Sequence, residues 1–137
     1  MKACISTVQF SFCEEDRNQA AQRLLAKLAG KYDYLSSGQY RAVFKMRGER
    51  VLKVPLSEAG EFCNDGEGSI IDDTCARGKW LEIDGFVCVM QEYVEDASLS
   101  TIRSRLGRLP DWVAGVDSAQ VGFTRSGQLK AYDFVHP

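Results

Sequence analysis

The chain has 137 residues, 45% of them apolar and 26% charged, with a net charge of −2 at pH 7. That length fits one domain able to bury a core without disulfide or metal staples. The charge balance speaks against a nucleic-acid partner, which shows itself as a basic patch, and the longest apolar run, residues 86–90, is too short to span a bilayer.

Along the chain, Val8, Phe10 and Phe12 alternate with polar residues, which predicts an opening strand with those three on one face. Ser11 followed by Glu14 has capping-box spacing. Ala20, Ala21, Leu24, Leu25, Leu28 and Ala29 then recur at helical period, predicting a helix over residues 14–28 closed by Gly30. Three hairpins follow. Residues 41–46 and 50–54 flank a tight turn at 47–49. Residues 80–83 and 86–90 flank Asp84-Gly85, the pair a type I′ turn favours. Residues 119–124 and 128–132 flank 125–127. Residues 57–76 are expected to be helical in part, although Gly60, Gly66 and Gly68 weaken that helix. Residues 98–106 form a further predicted helix, stopped by Gly107 and Pro110. The expected fold class is α+β: an antiparallel sheet with packed helices in a single domain, 1–137.

The five cysteines (Cys4, Cys13, Cys63, Cys75, Cys88) include no CxxC pair, and the only histidine is His136. A zinc site needs closely spaced ligands, so reduced thiols in a cytoplasmic protein are expected. The first residues, Met-Lys-Ala-Cys-Ile-Ser-Thr, carry no apolar core of a secretory signal. The acidic residues Glu61, Asp65, Glu67, Asp72 and Asp73 lack EF-hand spacing and are expected to be a solvated surface. Trp80 and Trp112 are expected in core or groove packing. A serine or cysteine nucleophile would need a base, and His136, next to the last residue, is a poor one.

Leu35-Ser36-Ser37-Gly38-Gln39-Tyr40-Arg41-Ala42-Val43-Phe44, running into Arg50-Val51-Leu52-Lys53-Val54-Pro55, resembles the glycine-rich loop and lysine strand of protein kinases. Residues 87–95, Val-Cys-Val-Met-Gln-Glu-Tyr-Val-Glu, resemble the strand that leads into the kinase hinge, and Ala97-Ser98-Leu99 the start of the next helix. Gln120-Val121-Gly122-Phe123, Gly127 and Ala131-Tyr132-Asp133-Phe134 resemble the paired strands ahead of the metal-binding Asp-Phe-Gly motif. The resemblance covers residues 34–134. It implies a strand-helix extension (1–33), a kinase N-lobe-like sheet (34–95) and a short C-lobe remnant (96–137). In it Gly38, Tyr40, Val43, Lys53 and Met90 would contact a nucleotide, Glu67 (with Glu61 as second candidate) would pair with Lys53, and Asp133 and Gln120 would hold metal.

Several residues depart from the family pattern. Ser36 and Arg41 stand where kinases carry glycine, and Val135 replaces the last glycine of Asp-Phe-Gly. Five residues before Gln120, where the catalytic aspartate belongs, the chain has Gly115; Asp111 and Asp117 are out of register. About forty residues follow the hinge-like strand, too few for an activation segment. The expected function is a degenerate kinase-like module, without cofactor, that binds a protein partner as a regulator or inhibitor. Tyr40, Arg103, Arg105 and Trp112 are the interaction candidates, and the acidic stretch 58–73 would steer a basic partner. The alternative is a minimal phosphotransferase using ATP and magnesium.

Overall fold

A computed structural model describes residues 5–116 and 120–133. Cys4, Asp117, Phe134, Val135 and His136 lie outside these residues, as does Ala119 of the third predicted hairpin. The elements in chain order are a short 3-10 turn (Ile5–Thr7), α1 (Glu15–Ala29), β1 (Asp33–Ser37), β2 (Arg41–Met46), β3 (Arg50–Pro55), α2 (Glu58–Ser69), β4 (Gly78–Ile83), β5 (Phe86–Glu92), β6 (Glu95–Asp96), α3 (Leu99–Leu106), a 3-10 turn (Asp111–Gly115), β7 (Val121–Phe123) and β8 (Leu129–Ala131). The fold is α+β. Five strands form an antiparallel sheet in the order β1-β2-β3-β5-β4, and three form a second in the order β6-β7-β8. Among the described residues, no helix is long and apolar enough to cross a membrane.

The turns follow their residues. Gly48 (φ 74°) and Glu49 (φ 58°) link β2 to β3, and Asp84 (φ 52°) with Gly85 (φ 86°) links β4 to β5. The latter is the double positive-φ geometry of a type I′ turn, which keeps the twist of the two strands continuous.

Strand alternation gives the large sheet two unlike faces. Ala42, Phe44, Leu52, Val54, Phe86 and Cys88 point to one side and form the main core with Ala21, Leu24, Leu25 and Leu28 of α1. The helical period predicted for that segment is thus the stripe that covers the sheet. On the opposite side lie Arg41, Val43, Val51, Lys53, Val89 and Gln91, in register through Val43↔Lys53, Val51↔Gln91 and Lys53↔Val89. Helix α2 covers this face with Gly60, Cys63, Asn64 and Glu67 buried, one stripe at i, i+3, i+4, i+7. It approaches closely because of its glycines. A Cβ on Gly68 would stand 2.5 Å from the Trp80 nitrogen, and one on Gly60 would collide with the Tyr40 carbonyl oxygen.

The second sheet carries its own small core of Ile102, Val113, Val121, Phe123 and Ala131. Gly122 lies so close to the Glu95 carbonyl that no side chain fits there. Strand β8 is tied through backbone to the loop that precedes β4. The Ala131 amide donates to the Thr74 carbonyl at 2.7 Å, and the Ala76 amide to the Ala131 carbonyl at 2.7 Å.

Four expectations are corrected. Residues 8–12 form no strand: Phe12 is buried and Val8 and Phe10 pack on the main core, but this stretch meets a strand-following residue through one bond, Ser11 amide to Leu56 carbonyl, 2.8 Å. Alternation alone does not make a ladder. The capping box is absent. Glu14 is the cap residue without a side-chain cap bond, and Asn18 Oδ1 instead accepts from the Phe12 amide at 2.7 Å, while Gly30 ends the helix in right-handed geometry (φ −77°). Trp80 is not in the core: it is half exposed on β4, the sheet edge. The acidic residues 61–73 are not all solvated, since Glu67 is fully buried and Glu61 takes Arg17 at 2.8 Å.

Candidate functional site

A cleft of about 620 Å³ opens between the α2-side face of the large sheet and the second sheet. Its walls come from the β1–β2 loop with Gly38 and Tyr40, from Val43 and Val51, from Gln91 and Tyr93, and from Gln120, Tyr132 and Asp133 on the far side. At its base lies a cluster of four charges.

Arg41 on β2 sends both guanidinium nitrogens to the Glu67 carboxylate, Nη1 to Oε1 at 2.7 Å and Nη2 to Oε2 at 2.9 Å. The same Nη2 donates to Asp133 Oδ1 at 2.6 Å. Lys53 on β3 donates to Glu67 Oε1 at 2.8 Å and to the Tyr132 carbonyl oxygen. Asn64, one turn before Glu67, accepts from Arg41 and donates to the Val87 carbonyl at 2.8 Å, which fixes the helix face against β5. Gln91 Nε2 completes the cluster with a bond of 3.3 Å to Glu67. Register brings the cations together, because Arg41 and Lys53 sit on neighbouring strands and face the same side.

The electrostatics follow from burial and pairing. Burial works against the Arg41 charge, but its hydrogen bonds and attraction to Glu67 outweigh this and hold its pKa above the ordinary guanidinium value. Burial likewise disfavours ionised Glu67, yet Lys53 and Arg41 pull its pKa below the usual carboxylate range. For Lys53 burial wins: desolvation, with repulsion from Arg41 next, lowers its pKa to about 8 in spite of Glu67 and Asp133. Such a cluster is costly to desolvate and holds together only because each charge has a partner at bonding distance.

The chain matches no protein-family model and no curated protein. The site must be read from its own residues.

The structure brings together Gly38, Tyr40, Val43, Lys53, Gln120 and Asp133 around the cleft and sets Glu67 beneath them on α2. It does not bring Met90. That residue pairs with Leu52 and belongs to the opposite face, where Arg50 Nη1 contacts its sulfur at 3.9 Å; Gln91, one residue on, takes the cleft position. Glu61 is turned away from Lys53 and binds Arg17 and the Val87 amide instead. Gln120 lines the cleft with its Oε1 buried and unpartnered among the described residues. Of the interaction candidates, Arg103 is exposed, Arg105 stacks on Phe123 at 3.9 Å, and Trp112 packs against the second core.

The Asp133 carboxylate is held by Arg41, and among the described residues no group of three His, Cys, Asp or Glu side chains could hold a metal ion. Sequence reasoning missed Arg41, Asn64 and Gln91. The signal for Arg41 was present in the period-2 pattern, which places a cation beside Lys53 on a face where only acids could satisfy it.

Proposed function

We propose that this chain is a degenerate kinase-like module whose cleft is closed to nucleotide phosphates by its own arginine, and that it acts by binding another protein. The observation that carries this reading is the Arg41 bridge. The residue standing where the kinase pattern has glycine ties Glu67 to Asp133 with bonds of 2.6–2.9 Å. On the kinase resemblance, its guanidinium occupies the region where nucleotide phosphates would lie and neutralises the carboxylate that would hold magnesium. The free thiols of Cys13, Cys63, Cys75 and Cys88 agree with a reducing, cytoplasmic setting.

The Lys53–Glu67 bond of 2.8 Å favours the rival reading, a minimal phosphotransferase, because that pair is what positions phosphates in kinases. Thermal unfolding with ATP and magnesium separates the two. A ligand at one hundred times its Kd adds about 2.7 kcal/mol, which moves the Tm by several degrees in a domain of this size. The expected result is no shift in the wild-type chain. A saturable, magnesium-dependent rise in Tm, lost in Lys53→Met, would reject the closed-cleft reading and favour the enzyme.

A further inference from the structure

A second groove, of about 630 Å³, shares Gln91, Glu92 and Tyr93 with the cleft and is otherwise lined by different residues. It runs between the β2–β3 turn, the start of β4, the end of β5 and the 124–126 turn of the second sheet. Four cations line it: Arg50, Arg77, Lys79 and Arg125. All four are exposed, and none forms an ion pair among the described residues. The two carboxylates in the lining are already engaged: Glu49 meets Lys45 at 3.8 Å, while Glu92 meets Lys130 at 3.1 Å and accepts from the Arg77 amide at 2.9 Å. The groove therefore presents uncompensated positive charge on a molecule whose net charge is −2. Met90, whose side chain the cleft does not use, and Tyr93 give the groove apolar and aromatic surface.

Unpaired guanidinium groups beside an apolar wall suit carboxylates interleaved with an apolar side chain. Arginine binds carboxylate in a two-bond fork, and the residual field attracts an acidic chain from a distance. A nucleic acid is disfavoured because a long polyanion needs a basic surface continuing beyond one groove, and the net charge of the chain is −2. We infer that this groove is a docking site for a short acidic peptide segment of a protein partner. The inference deepens the binding reading and rests on it, but does not depend on the cleft being closed.

Fluorescence anisotropy with a labelled alternating Glu-Leu peptide tests it on the full chain, with an oligothymidylate of similar length as the competing arm. The expected result is saturable peptide binding that weakens as salt rises. It falls about tenfold or more in the Arg77→Glu/Arg125→Glu variant and in Lys79→Glu. It is retained in Arg103→Glu, whose exposed charge lies on α3 outside the groove. Circular dichroism confirms that each variant is folded. No saturable peptide binding, equal binding by the groove variants, equal loss in Arg103→Glu, or tighter binding of the oligonucleotide would each overturn the assignment. Because ATP plays no part in this assay, failure here and failure of the closed-cleft reading are distinguishable.

Discussion

Arg41, Lys53, Glu67 and Asp133 satisfy one another with ion pairs of 2.6–2.8 Å, whereas Arg50, Arg77, Lys79 and Arg125 stand in water with no acidic partner among the described residues. The first group is bound into the structure: it ties β2, β3 and α2 to the segment after β8, and removing one member strands the rest in a low-dielectric interior. The second group contributes nothing obvious to the fold. A buried charge that is fully paired tells mainly about architecture, while an exposed cluster left unpaired tells about what the surface attracts.

The contrast breaks most visibly at Glu67. Glu67→Gln should destabilise the chain by about 3–5 kcal/mol, because it leaves Arg41 and Lys53 facing a neutral amide with no water to replace the lost charge. Urea unfolding measures this. A loss below about 1 kcal/mol would put the Glu67 site in the class of surface ion pairs.

A smaller effect comes from pH. The pKa of Lys53 falls from 10.5 in the unfolded chain to about 8 in the fold, so between those values the unfolded state binds more protons and stability rises with pH; it is lost again as pH falls through 8. The thiols of Cys63, Cys75 and Cys88 are raised above 9.0 by burial and act oppositely, costing stability as pH climbs past 9. A stability maximum near pH 9 is expected for the wild type, and the rise from 8 to 9 should vanish in Lys53→Met. An identical profile in both proteins would show that another group titrates there.

The least effect is expected in the groove. Arg77→Gln and Lys79→Gln should each change stability by no more than about 0.5 kcal/mol. A loss of 2 kcal/mol or more, about the cost of a buried polar defect, would mean that these cations do serve the fold.

Much of the large sheet was legible because its signals are local. Asp84-Gly85 marks a turn by backbone conformation alone, and Ser57 and Ser98 cap α2 and α3 through their own hydroxyls, accepting from Gly60 and Thr101. The Lys53–Glu67 pairing was legible only through the order of motifs along the chain. What stayed hidden needs partners far apart in sequence. The Arg41–Asp133 bond spans 92 positions, and neither residue has a local pattern that names the other. Met90 and Gln91 were confused because the alternation of β5 gives two faces without saying which one looks at the cleft; pairing with β3 decides it. The opening segment shows the converse, a correct inward-outward pattern on a stretch that has no strand beside it.

Gly60, Gly68 and Gly122 give this protein an inverted pattern of tolerance to sequence change. Leucines of the α1 stripe can exchange for methionine or isoleucine at modest cost, since a core responds mainly to volume and can repack. At these three glycines an added methyl would meet backbone: the Tyr40 carbonyl, the Trp80 amide and the Glu95 carbonyl. No rotamer relieves such a contact. The smallest side chains in the molecule are thus among its least replaceable, and the spacing between helix α2 and the sheet is a property that only glycine can encode.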